Sequence, residues 1–176
     1  WANFFGSDKR FAHSNQPGSM HGFYGFKSEN AKDSKFKDLK EFYHVYQDCP
    51  VPEITEAQTR QFHNKLIEIG AQLLGWLDSE SPEDVKAHLS EPLTGMIEDS
   101  QQNLLRILHY PPLADDVEPG EERAAAHEDI NLITLLVTGT EPGLQARDTQ
   151  GNWHDVPCEP GMITINAGDM LAKATG

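Results

Sequence analysis

Two side chains one residue apart, His127 and Asp129 in the stretch RAAAHEDINLITLL (residues 123–136), carry the most suggestive chemistry in the sequence. An imidazole nitrogen and a carboxylate oxygen are both donors for divalent metals, and two histidines with one carboxylate on one face of Fe(II) leave three coordination positions open. Side chains at i and i+2 of a strand point the same way, so a pair at the start of the β-forming run that follows could face one interior. A His-x-Asp pair also arises by chance, and on spacing alone a surface or turn-capping pair is the better reading. The elements around the pair must decide.

After residue 103 the chain reads as β. LLRILHY (104–110), INLITLLVT (130–138), GLQAR (143–147), NWHDV (152–156) and GMITINAG (161–168) are short apolar or β-branched runs, separated by Pro, Gly, Asp and Asn. No helical period intervenes, so a barrel or double sheet is expected rather than an α/β alternation. Residues 114–122, ADDVEPGEE, read as a solvated acidic loop. Asn166, Gly168 and Asp169 read as a tight turn.

Residues 55–102 form a helical region. TEAQ at 55–58 reads as a capping box, and Phe62, Leu66, Ile69, Leu73 and Leu77 fall on one face, which predicts an amphipathic helix over 55–77. A second helix start is expected at SPED, with Ser81 capping and Pro82 in the first helical position. Residues 1–54 form an N-terminal aromatic and turn region. Over 1–36, aromatics mix with Gly, Ser and Asn without a 3.6-residue period, so turns and short strands are expected, with the aromatics in core or edge packing.

The 176 residues suffice for a single domain, 1–176. No run approaches the ~20 apolar residues of a membrane helix, and a soluble protein without a membrane partner is expected. The net charge of -14 is uneven: 7 Lys+Arg face 6 Asp+Glu over residues 1–50, and 7 face 22 over 51–176. Such a surface repels phosphate backbones, which argues against nucleic acid as a partner. Cys49 and Cys158 lack the C-x-x-C spacing of a zinc-thiolate site and suit a reducing, cytoplasmic setting. The chain starts at Trp1 with no leader-like segment, which suggests that it was cut from a longer protein.

Taken in order, RILHYPPL (106–113), HEDINLITLL (127–136) and GLQARDTQGNWHDVPCEPGMITINAGDML (143–171) resemble the isopenicillin N synthase-like family of Fe(II)/2-oxoglutarate-dependent oxygenases. The four shared blocks are a strand ending in Tyr-Pro, the His-x-Asp segment with Thr-Leu-Leu, Gly-Leu-Gln followed by Trp and Val-Pro, and Pro-Gly followed by Asn-x-Gly-Asp. The segments FF and HGFYGF and the helix at 55–77 extend the likeness more weakly over nearly the whole chain. The resemblance implies a mainly β double-stranded β-helix, or jelly roll, with flanking helices. His127 and Asp129 take the positions of the first two iron ligands. Tyr110 matches the tyrosine that in many members hydrogen-bonds a carboxylate of the co-substrate or substrate, although a core tyrosine bonded to a backbone carbonyl fits too.

The family's distal histidine and its Arg-x-Ser pair have no counterpart before Gly176, so the third ligand is expected to be absent from this chain and the jelly roll to be incomplete at its C-terminal end. His154 beside its turn is expected to be a surface histidine, and His109 to point away from Tyr110. Histidines 13, 21, 44, 63 and 88 match no ligand position, and solvated or locally bonded roles are expected of them. An incomplete roll would expose sheet edges and favour a homodimer. The implied activity is hydroxylation, desaturation or cyclisation of a small organic substrate with Fe(II), 2-oxoglutarate and O2; some relatives use no 2-oxoglutarate. A non-catalytic binding or scaffold protein on the same roll, or a cupin-type site for another metal, remain as alternatives.

Overall fold

The computed structural model describes residues 1–31, 34–113 and 117–176. Its contacts divide the chain into two compact units. The first comprises Trp1–Glu80 and Ser90–His127, the second Ser81–Leu89 and Glu128–Gly176.

The first unit is built on an antiparallel sheet of β1 (Gly22–Tyr24), β2 (Glu41–Val45) and β3 (Leu105–His109), with β2 in the middle. All five residues of β2 are buried. Phe4, Phe5, Phe23, Tyr43, Val45, Val51 and Leu105 form the core, against which Trp1, Leu66 and Ile107 pack. The rings meet mainly edge-on or tilted, as their quadrupoles favour: Phe4 and Tyr43 lie 5.5 Å apart, Trp1 and Tyr43 5.1 Å. The N-terminal segment also forms a four-residue helix, α1 (Ala2–Phe5), and a 3-10 turn at Asp8–His13, so it is more helical than expected. Phe4, Phe5 and Phe23 are core residues, whereas Phe11 and Phe26 are exposed.

The long helix is α2 (Glu56–Glu80). A 3-10 turn at Glu53–Thr55 precedes it, and the Thr55 hydroxyl donates to Pro52 O at 3.0 Å, so Thr55 does not play the N-cap role expected of it. The buried face is also rotated from the expected one: Thr59, His63, Gly70 and Leu74 are buried, while Phe62 and Leu77 are 46% and 40% exposed. Specific partners override the apolar stripe. Trp1 Nε1 donates to Thr59 Oγ1 at 2.9 Å, and Arg60 donates to the carbonyls of Tyr46, Gln47 and Cys49, locking the helix rotation over the core. At its far end, the Asp78 carboxylate accepts from the backbone N–H groups of Leu93 and Thr94.

The second unit holds α3 (Glu83–Lys86), which begins one residue later than expected with Pro82 at the cap, and two nested antiparallel pairs. The inner hairpin joins β5 (Gln145–Arg147) and β6 (Trp153–Asp155); the outer pair joins β4 (Ile133–Val137) and β7 (Ile163–Ala167). All five runs expected to be strands after residue 103 are therefore strands. The final segment, α4 (Asp169–Thr175), is helical. Among the described residues no helix is long and apolar enough to cross a membrane. Residues 114–116 of the expected acidic loop lie outside the described residues; Glu121, within the rest of it, pairs with Lys27.

Candidate metal centre

His127 and Asp129 do not stand on a strand. Both lie in irregular chain ahead of β4, which starts at Ile133, so the strand alternation invoked for them does not set their directions. The reason lies in what their segment pairs with. The carbonyls of Asp129, Asn131 and Leu132 accept from the backbone N–H groups of Asp169, Met170 and Gly168, at 2.8, 3.2 and 2.9 Å. These carbonyls occupy donors at the start of α4 that have no partner within the helix. Gly168 makes this approach possible: a Cβ there would lie 2.6 Å from Asn131 Oδ1 and closer still to its backbone carbonyl. The residue is glycine for want of space, not for a turn, and Asn166 and Asp169 belong to β7 and α4 rather than to a tight turn.

Within the second unit the Asp129 carboxylate is held from β4 and β7. Thr134 Oγ1 donates to Asp129 Oδ2 at 2.6 Å and accepts from Asn131 Nδ2 at 2.8 Å, so the amide fixes the direction of the hydroxyl proton. Asn166, which faces Thr134 in the ladder, brings its Nδ2 to 3.5 Å from the same oxygen. Sequence reading missed Thr134 and Asn166 as functional residues; their facing positions on two strands are the signal, legible only once the pairing is known.

His127 belongs to the first unit and is exposed. Its Nδ1 lies 2.8 Å from Ala125 O. A carbonyl can only accept, so Nδ1 is the donor in this contact, and Nε2 is the nitrogen through which such a ring would bind a metal. The segment leading to His127 is fastened from within the first unit. Ala125 N donates to Asp38 Oδ1 at 3.1 Å, Leu39 N to Glu122 O at 2.9 Å, and Arg123 Nη1 to Pro111 O at 3.1 Å.

Asp38 is the buried end of a string of charges that runs out to the surface at Glu29 and Arg106. Lys40 Nζ sits 2.7 Å from Asp38 Oδ2 and 3.0 Å from Glu29 Oε2; Arg106 reaches both Glu29 oxygens, at 3.2 and 3.3 Å, and its Nε donates to His44 Nε2 at 2.8 Å. Burial would lower the Lys40 pKa, yet the hydrogen bonds it donates to Asp38 and Glu29 leave it raised. Burial would raise that of Glu29, yet Arg106 and Lys40 leave it lowered. Each charge is thus matched, as buried charges must be. His44 and His63 are buried rather than solvated, and burial pushes the His44 imidazole down to about 4.

Tyr110 follows the end of β3 and is 39% exposed. Partial desolvation raises its pKa, against the pull of Lys40. Among the described residues its hydroxyl makes no hydrogen bond. His109, the last residue of β3, stacks on Phe5 at 5.0 Å and meets Glu41 Oε1 at 2.8 Å. His154 is an exposed histidine, bonded to Asp148 at 2.9 Å in its own hairpin.

The donor types and the Nδ1 contact of His127 fit a non-haem iron site, although among the described residues no three His, Cys, Asp or Glu side chains converge as a metal-binding group. Residues 101–175 match the 2OG-Fe(II) oxygenase superfamily. A crystal structure of a Shewanella oneidensis protein assigned as an oxygenase is 44% identical and superposes with a TM-score of 0.85 over 99% of this chain and 62% of that one. Gibberellin 3-beta-dioxygenase 1 of Arabidopsis thaliana is 32% identical over 152 residues, 84% of this chain and 38% of that protein. A full-length Neurospora crassa protein, solved in complex with alpha-KG, shares the fold at 23% identity, with a TM-score of 0.72 over 98% of this chain and 58% of that one. The chain belongs to the 2OG-Fe(II) oxygenase superfamily, whose members use Fe(II) and 2-oxoglutarate. It spans less than two thirds of the length of each of these three relatives.

Proposed function

We propose that the protein is an Fe(II)/2-oxoglutarate-dependent dioxygenase acting on a small organic substrate, with His127 and Asp129 as two protein ligands of the iron and Tyr110 as a contact for a carboxylate of 2-oxoglutarate. The observation that carries this reading is the Nδ1–H bond of His127 to Ala125 O, which makes Nε2 the ring nitrogen through which the imidazole would bind a metal. Held by Thr134, Asp129 would bring a carboxylate whose orientation is fixed before the metal arrives. The bound group, with 2-oxoglutarate and O2, supplies the oxidising chemistry; the chain's residues hold and orient it. The family's distal histidine would complete the triad.

Residues 1–176 are read as one oxygenase domain with a jelly-roll arrangement, for which the superposition on the Shewanella chain speaks. Hydroxylation is the reading for the reaction, a reducing cytoplasm for the compartment, and a homodimer for the assembly. The acidic charge disfavours polyanionic partners.

Anaerobic titration of the protein, as encoded in full, with Fe(II) and 2-oxoglutarate tests the reading. A visible charge-transfer band that disappears in His127→Ala and Asp129→Ala supports it. Tyr110→Phe should retain the band but raise the 2-oxoglutarate concentration needed for it about 10-fold, the loss of one hydrogen bond to a charged group. Absence of any band in the wild-type protein would sink the proposal.

A further inference from the structure

Asp38 stands 89 residues before His127 in sequence, in a part of the chain with no metal-ligand motif, yet its carboxylate is bonded to the peptide that orients the imidazole. We infer that Asp38 is a positioning residue for His127, acting through Ala125: the buried carboxylate holds the Ala125 N–H, and the carbonyl of the same residue takes the Nδ1 proton of the ring.

Three observations support this. First, residues 122–127 have no ladder or helix to define their path, so their backbone follows the bonds made to them from elsewhere, and two of these come from the adjacent residues Asp38 and Leu39. Second, Asp38 is 3% exposed. A carboxylate so far out of water needs partners for both oxygens; Lys40 satisfies Oδ2 and Ala125 N–H satisfies Oδ1, so losing the Ala125 bond would leave a buried acceptor unpaired. Third, Lys40 is itself fixed by Glu29, and Glu29 by Arg106, so the carboxylate cannot swing without breaking a buried ion pair. A carbonyl held at Nδ1 favours the proton on that nitrogen. The usual partner of a metal-binding histidine is a carboxylate or carbonyl at its second nitrogen; here the carbonyl is held in turn by a carboxylate.

The inference about the tautomer stands on the metal-free protein, and only its consequence for the metal rests on the function proposed above. Long-range proton–nitrogen NMR of the imidazoles reads the tautomer directly. In wild type, His127 should give the Nδ1–H pattern and Ala125 a protected amide; the Nε2–H pattern, or a rapidly exchanging Ala125 amide, overturns the inference whatever the variants do. Asp38→Ala should mix the tautomers and weaken the Kd for Co(II), the probe metal, about 10-fold. Asp38→Asn keeps an acceptor for Ala125 N–H and should retain the wild-type pattern. Glu29→Gln disturbs the same ion-pair string without touching Ala125, and it should destabilise the protein while leaving the His127 signals unchanged. Equal shifts in Glu29→Gln and Asp38→Ala would assign the effect to general loosening and refute a positioning role. Wild-type Co(II) affinity in His127→Ala would overturn the metal reading and leave the tautomer result to stand or fall alone.

Discussion

At the scale of single residues, one of the groups that hold the Asp129 carboxylate is a hydroxyl whose proton has a fixed direction. Asn131 donates to Thr134 Oγ1, so Thr134 donates to Asp129. Thr134→Val keeps the shape and β-branching and removes only this bond. Its Co(II) Kd should rise 10- to 100-fold, the usual cost of losing an outer-shell partner, while Thr134→Ser stays near wild type; calorimetric titration of both variants measures this. The pair His127 and Asp129 could be proposed from the sequence because it is local. Thr134, Asn166 and Asp38 were not, since each acquires its role from a strand register or a contact across 87 residues that no short motif encodes.

At the scale of elements, the later strands announce themselves and the earlier ones do not. The runs after residue 103 are apolar pieces cut by turn residues, and each became a strand. The central strand β2 reads EFYHV, where Glu41 and His44 obscure an alternation that both-sided burial has in any case removed. Those polar residues are buried because His109, Arg106 and Met20 O meet them, partners supplied from other elements. The α2 stripe misled for a related reason: apolar periodicity marks a face that can be buried, whereas Trp1 and Arg60 decided the face that is. Gly168 provides a test of the contact between α4 and the Asp129 segment. A methyl group there must displace the Asn131 peptide. Gly168→Ala should lower unfolding free energy by about 1–3 kcal/mol, as overpacking does, measurable by urea denaturation; an unchanged midpoint would mean that the segment yields without cost.

At the scale of the whole molecule, the buried charges make stability depend on pH. His44 has a folded pKa of about 4 against an ordinary value near 6.5, chiefly through burial, with Arg106 adding to it. The unfolded chain therefore binds the extra proton first. Stability is fully present above about pH 6.5 and declines as pH falls toward 4. Between pH 7.5 and 5.5 the loss should be roughly 1–1.5 kcal/mol from this group, and His44→Gln should flatten the dependence in denaturant titrations at the two pH values. A wild-type stability that holds level over this interval would show that His44 is not buried in its neutral form. Glu29, also held below its ordinary range, works in the same direction at lower pH.

The order of strands in the first sheet also bears on how the protein is made. β1 and β2 meet early, but the strand on the other side of β2 is β3, roughly 60 residues later, with α2 in between. A ribosome adding ~5–20 residues per second takes about 3–12 s to cover that interval. Through it, one edge of β2 and the aromatic rings beside it wait for Leu105 and Ile107. The nascent chain is thus most in need of a chaperone after α2 has emerged and before β3 has, and a pause in translation within residues 46–104 would lengthen that exposure.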